Sequence, residues 1–226
     1  MGVKERLEKV LSRMEEACRR SGRSVDEITL VAVSKNFSAE AVREVFNLGV
    51  VNFGENRAQE LVGKAEALSD LPITWHFIGR IQTNKVKYFV KVADYVHSVW
   101  REKELLEINK RAGALGKKIK VFVEVNVSGE ESKAGVRPGE VEKILDIASS
   151  MENLEVIGLM TMAPYVEDPE SVRWVFRELR RLRDRLNSRY PKLRELSMGM
   201  SNDFEVAIEE GATFVRIGTA IFGRRD

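Results

Sequence analysis

Apolar positions along the chain recur with two different periods. Leu7, Val10, Leu11 and Met14 fall at i, i+3, i+4 and i+7 among charged residues, the spacing of an amphipathic helix laid on a core. Ser21-Gly22-Arg23-Ser24 ends that stretch. From Ile28 onward, short β-branched or apolar runs alternate with charged, helix-patterned segments, the signature of repeated βα units around a parallel sheet. Eight strands are expected: Ile28 to Ser34, Val50 to Phe53, Thr74 to Ile78, Tyr95 to Val99, Ile119 to Asn126, Val156 to Met160, Glu195 to Met198 and Thr213 to Ile217. Helices are expected at Ala39 to Leu48, Ala58 to Leu68, Asn84 to Val92, Glu102 to Gly113, Pro138 to Ser149, Pro169 to Tyr190 and Phe204 to Glu210. An open doubly wound sheet is the alternative, but no Gly-x-Gly-x-x-Gly follows the first strand. The expected fold is therefore α/β, a single (β/α)8 TIM-type barrel domain over residues 1–226 with an additional N-terminal helix.

Composition narrows the partners. Lys plus Arg (37) nearly balance Asp plus Glu (35), and the net charge of +2 predicts no general attraction to nucleic acid or anionic membranes. Any anion site must be local. The single cysteine, Cys18, forms no intramolecular disulfide. The start Met1-Gly2-Val3-Lys4-Glu5-Arg6 lacks the apolar core of a signal peptide, and no apolar run approaches the roughly 20 residues that span a bilayer. A soluble, unprocessed protein of the reducing cytoplasm is expected.

In such barrels functional groups sit where strands end and the following loops begin. Lys35 leaves the apolar run Ile28 to Ser34, and low-dielectric surroundings there would favour a neutral amine, nucleophilic toward an aldehyde. Position alone fits a snorkelling lysine better. In Val51-Asn52-Phe53-Gly54-Glu55-Asn56-Arg57, Glu55 and Asn56 either orient a ligand or Lys35, or cap the next helix. His76 and His97, the two histidines, belong to different strands; zinc is poorly supported, and packing against an aromatic ligand suits His76 better. The clearest signal lies in Ser197-Met198-Gly199-Met200-Ser201-Asn202-Asp203, which leads into the helix at Phe204, and in Val215 to Gly223 with Gly218 allowing close backbone approach. These are the loops after strands seven and eight, where helix N-termini suit a phosphate. The plainer alternative makes Ser201 and Asp203 an N-cap and Gly218 a turn. The arginine-rich helix from Arg173 to Arg189 is interrupted by Glu178 and Asp184 and has no aromatic ladder, so it is expected to be a solvated outer face. Glu130 to Gly135 follows strand five as a mobile flap or a long polar loop.

Several segments in the right order then resemble one family. They are Val31-Ala32-Val33-Ser34-Lys35, Phe53-Gly54-Glu55-Asn56, Trp75-His76-Phe77-Ile78-Gly79, Gln82-Thr83-Asn84-Lys85, Ser128 to Gly135, Gly158-Leu159-Met160, Leu196 to Ser201 and Val215-Arg216-Ile217-Gly218-Thr219. Together they resemble the pyridoxal phosphate homeostasis family, the YggS/PROSC type. The resemblance implies a barrel like the N-terminal domain of alanine racemases. It implies pyridoxal 5'-phosphate (PLP) held by Lys35 as a Schiff base, with Ser201, Gly218 and Thr219 on the phosphate and Arg216 beside the pyridine nitrogen. It further implies that Asn56, His76 and Met198 line the pocket. Arg57-Ala58 and Arg80-Ile81 depart from the family's pattern in the loops.

The same resemblance implies a non-enzymatic protein that stores PLP and delivers it to PLP-dependent apoenzymes. Residue chemistry permits this: a guanidinium at Arg216 keeps the pyridine nitrogen unprotonated and weakens the ring as an electron sink. Racemisation needs a second acid or base, which racemases take from an additional domain, and none of Tyr88, Tyr95, Tyr165 and Tyr190 matches a family catalytic motif. An amino-acid racemase or decarboxylase-like enzyme, and a Schiff-base aldolase acting on a phosphosugar, remain as alternatives. Without that second domain a monomer is expected.

Overall fold

Residues 1–224 are described in a computed structural model of the chain. Each apolar run expected to be a strand is one. They are β1 (Thr29–Val33), β2 (Asn52–Glu55), β3 (Thr74–Phe77), β4 (Tyr95–Val99), β5 (Ile119–Glu124), β6 (Leu154–Met160), β7 (Glu195–Ser197) and β8 (Phe214–Ile217). They pair in parallel and in chain order, and β1 also pairs β8, so the sheet closes into a barrel with no free edge. The helices between them are α2 (Ala39–Asn47), α3 (Ala58–Ala67), α4 (Val86–Phe89), α5 (Glu102–Ala114), α6 (Val141–Ser149), α7 (Arg173–Asn187) and α8 (Phe204–Glu209). A further short helix, α9 (Thr219–Phe222), follows β8. Three helices are shorter than their patterns suggest, because their first turns tighten into 3-10 geometry at Thr83–Lys85, Pro138–Glu140 and Pro169–Val172.

Successive strand residues face opposite sides of the sheet. One set, Val31, Phe122, Ile157, Met160 and Phe214, packs with Tyr95 inside the barrel. The alternate set, including Ala32, Val215, Ile217, Leu196 and Met198, packs outward against the helices. Parity therefore puts Lys35 on the inner face above Val31 and Val33, and Arg216 on the inner face above Phe214. Backbone approach is close where loops cross the strand ends: a Cβ at Gly79 would lie 2.0 Å from the Asn56 carbonyl oxygen, a contact only glycine tolerates.

The N-terminal helix α1 (Val3–Arg20) lies against α8 and α9. Its buried stripe is Leu7, Val10, Met14, Ala17 and Cys18. Arg6 Nε donates to the Ile221 carbonyl at 2.7 Å, Arg13 pairs with Glu205, and Arg20 pairs with Glu209 at 2.7 Å. On α7, Arg173, Arg177 and Arg180 all reach Glu210, so those arginines of the basic helix are occupied by carboxylates. No helix among the described residues is long and apolar enough to cross a membrane.

Candidate functional site

Lys35 emerges at the C-terminal end of β1 with its side chain exposed, and its amine meets no hydrogen-bond or ion-pair partner among the described residues. The low-dielectric surroundings expected for it are not found, because the strand stops one turn too early to cover it. The chain reverses at Asn36, a non-glycine residue at φ 68. What fixes this reversal is a buried polar cluster on the outer side of the strands. Lys64, reaching in from α3, donates to the Ser34 carbonyl at 2.7 Å, to Glu55 Oε1 at 2.6 Å and to Glu60 Oε1 at 2.8 Å. Ser34 Oγ donates to the same Glu55 oxygen, and Glu60 Oε1 accepts the Asn36 backbone N–H. Glu55 is fully buried, and burial pushes its carboxyl above the usual range against the pull of Lys64 and Ser34. Of the two roles open to Glu55, orienting the Lys35 segment is therefore the one its contacts fit. Asn56, one residue on, turns toward the barrel interior, and its Oδ1 is buried without a partner.

Across the mouth, the loops after β7 and β8 meet. Ser201 Oγ accepts the Ala220 N–H at 3.2 Å, which ties the two loops together and removes Ser201 from the helix-capping role. Asp203 does not cap α8 with its side chain either, but accepts the Met200 N–H at 2.7 Å. The backbone N–H groups of Ser201, Gly218 and Thr219 donate to no acceptor among the described residues. A Cβ at Gly218 would meet the Val33 carbonyl oxygen at 3.2 Å, so this loop lies directly against β1, two residues before Lys35. Three free donors beside two helix starts form a cradle for an oxyanion.

Beneath this cradle a hydrogen-bonded chain crosses the barrel. Buried Arg216 donates through Nη1 to Ser197 Oγ and through Nη2 to the Thr161 carbonyl at 3.2 Å. Ser197 Oγ lies 2.7 Å from His97 Nδ1, His97 Nε2 lies 2.8 Å from His76 Nδ1, and His76 Nε2 lies 2.8 Å from Asn52 Oδ1. Arginine can only donate and an amide oxygen only accept. The protons therefore run one way, from Arg216 through Ser197, His97 and His76 to Asn52, with both imidazoles neutral. Burial draws His76 down to about 3 and His97 well below its ordinary value. Burial also lowers Arg216 to about 10, against the pull of Glu124 and Asp203; it stays a cation and a donor at neutral pH.

Two sequence expectations are corrected here. His76 does not line the mouth: it lies in the barrel interior, stacked on Tyr95 at 4.5 Å, with both ring nitrogens committed. Met198 points the other way, fully buried between sheet and helices beside Leu196, because it is one residue out of phase with inward-facing Ser197. Lys35, Asn56, Ser201, Arg216, Gly218 and Thr219 do gather at one end of the barrel. Unforeseen is Glu124, at the end of β5, whose carboxyl is raised to about 7 by burial although Arg216 pulls it down. Its signal was its parity with Phe122 at the inner end of β5.

These groups set an acid response. The unfolded chain takes a proton on each histidine near pH 6.5 while the fold refuses it, so stability falls as pH drops below 6.5, by about 1.4 kcal/mol per unit per imidazole. Glu124 acts oppositely: the fold holds its proton from about 7 downward, before the unfolded chain does, and so gains about 1.4 kcal/mol per unit over the same range. Two losses against one gain leave a net decline over the first pH unit below 6.5, opposed further down by Glu55 and Asp203, whose carboxyls burial also raises. A urea midpoint that stayed level across that window would contradict the neutral histidine pair.

The alanine racemase N-terminal domain family matches residues 10–226. A pyridoxal phosphate homeostasis protein of Aquifex aeolicus (strain VF5) is 50% identical over 226 residues, covering 100% of this chain and 99% of its own. Among solved structures, PipY of Synechococcus elongatus PCC7942 with PLP bound is 35% identical, with a TM-score of 0.86 over 98% of this chain and 100% of that one. An unknown protein from Bifidobacterium adolescentis, also 35% identical, superimposes with a TM-score of 0.92 over 97% of this chain and 94% of its own.

Proposed function

This chain belongs to the pyridoxal phosphate homeostasis protein family, which shares the barrel of the alanine racemase N-terminal domain, and we propose that it holds PLP reversibly on Lys35 for delivery to PLP-dependent apoenzymes. The observation that carries this reading is the unpartnered amine of Lys35 beside two loops that together offer three unsatisfied N–H donors. With PLP bound, the Lys35 amine would hold its aldehyde covalently with loss of one water, a link that another amine or water would reverse. Ser201, Gly218 and Thr219 hold the phosphate, and the unpaired Asn56 Oδ1 offers an acceptor to the ring substituents. Arg216, fixed by Ser197 and Thr161, donates toward the pyridine nitrogen and leaves it without a proton. When bound, PLP supplies an electron-withdrawing ring, and an unprotonated nitrogen weakens that withdrawal. A holding role follows better than carbanion chemistry. In this reading the protein acts as a monomer in the cytoplasm.

Glu124 favours a second reading. A carboxyl poised near 7 on the inner face of the barrel is a candidate acid or base, and it is the group on which racemase-like or decarboxylase-like turnover would rest. Incubating the loaded protein with amino acids in deuterated water decides between them: sustained α-proton exchange that disappears in Glu124→Gln would overturn the holding role. Borohydride reduction tests the site itself. The yellow protein should bleach with the pyridoxyl group trapped on the peptide carrying Lys35. A colourless protein that takes up no PLP would instead favour an aldolase lysine.

A further inference from the structure

Two adjoining clefts run outward from the mouth on the side of β2 and β3. The first, about 400 Å³, starts at Asn56 and is lined by Arg57, Gln59, Arg80, Gln82 and Lys85. The second, about 460 Å³, shares Arg80 and Gln82 and continues to Arg101 and Lys103. No Asp or Glu lines either. Arg57, Arg80 and Lys103 are exposed and pair with nothing among the described residues; Lys85 only rests over the Tyr88 ring at 5.7 Å. Arg101 alone has a carboxylate, Glu104 at 2.7 Å. On α7, by contrast, Arg173, Arg177 and Arg180 converge on Glu210. Backbone polarity adds to the excess, since α3 begins beside Arg57 with no side-chain cap and its first N–H groups face the same space. In a chain of net charge +2 this is a local excess.

We infer that this trough docks an acidic polypeptide segment of a protein that receives the cofactor. A nucleic acid fits less well, because the one aromatic residue in the lining, Phe77, is 2% exposed and offers no face for base stacking. A single small anion fits less well, because the unpaired cations are spread over two clefts. Between them stand Gln59, Gln82 and Asn84, whose amides both donate and accept, as peptide groups require. An acidic segment held here would bring its protein to the edge of the mouth at Asn56, and opposite charge would steer the encounter. Calling that protein a recipient rests on the function proposed above; the binding itself does not.

The test is fluorescence anisotropy of a labelled Glu-rich octapeptide titrated with the protein, with and without PLP, at low and physiological ionic strength. Binding should weaken with salt and fall about tenfold or more in Arg80→Glu/Lys103→Glu. The same charge change at exposed positions on α1, Lys9→Glu/Arg19→Glu, should alter it less than about twofold. Both double variants should load PLP as the parent does. Equal weakening by both, no peptide binding at low salt, or tighter binding of an oligothymidylate through the same residues would overturn the inference. Failure of the parent protein to take up PLP would sink the holding function and leave the peptide measurement intact.

Discussion

A Lys35→Ala variant is expected to fold normally, lose the yellow chromophore completely and bind PLP on the order of 100-fold more weakly, about 2.7 kcal/mol. Folding should survive because the Lys35 amine is exposed and touches no partner, and surface substitutions of that kind usually shift stability by no more than about 0.5 kcal/mol. The chromophore should vanish because the other lysines near the mouth are engaged: Lys64 is buried and shared among Ser34, Glu55 and Glu60, and Lys133 donates to the Met162 carbonyl and pairs with Glu130. Residual binding should remain, since the N–H groups of Ser201, Gly218 and Thr219 are untouched. That remainder should be competed away by inorganic phosphate. Absorption and equilibrium dialysis measure both parts. A variant that kept its colour would show that the covalent link lies elsewhere.

The second large effect is expected behind the site. Lys64→Met removes the cation from fully buried Glu55, and leaving one member of a buried pair costs about 3 kcal/mol. The penalty is limited because the Glu55 carboxyl is already raised and can take up a proton. Replacing both partners, Glu55→Leu with Lys64→Met, should recover much of the stability, because an apolar pair of similar volume often substitutes for a buried ion pair. It should not recover PLP affinity, because Ser34 would have lost both Glu55 and Lys64, and Glu60, which accepts the Asn36 N–H, would have lost the cation that fixes it. Denaturant unfolding and PLP titration on the two variants separate the roles. If affinity returned together with stability, the cluster would be a packing element and nothing more.

How far the sequence was readable follows from which physical signals are local. β1 to β8 were visible because apolar runs in a sheet covered on both sides are continuous, and their ends located Lys35, Ser201, Arg216 and Gly218. Inner or outer facing is a one-residue question, and it is where Met198 was misplaced beside Ser197. His76 was misread for another reason: the chain of Asn52, His76, His97 and Ser197 draws on four different strands and meets only when the sheet closes. Lys64 went unnoticed because a lysine on a helix ordinarily faces water; only the spacing Glu55, Glu60, Lys64 placed it over the end of β2. The short α9 was hidden because its four residues are too few to show a period.

The packing of α1 on α8 and α9 has a consequence for synthesis. The Arg6 to Ile221 contact spans 215 residues, so α1, once made, waits for α8 and α9 before its apolar stripe is covered. At about 5–20 residues per second that interval is on the order of 10–40 s. During it, Leu7, Val10 and Met14 depend on the charges around them to stay unaggregated. The loops after β7 and β8, made long after α1, would settle only when α1 clasps the helices that follow them, so the nascent chain should acquire its cofactor site only once α9 has emerged.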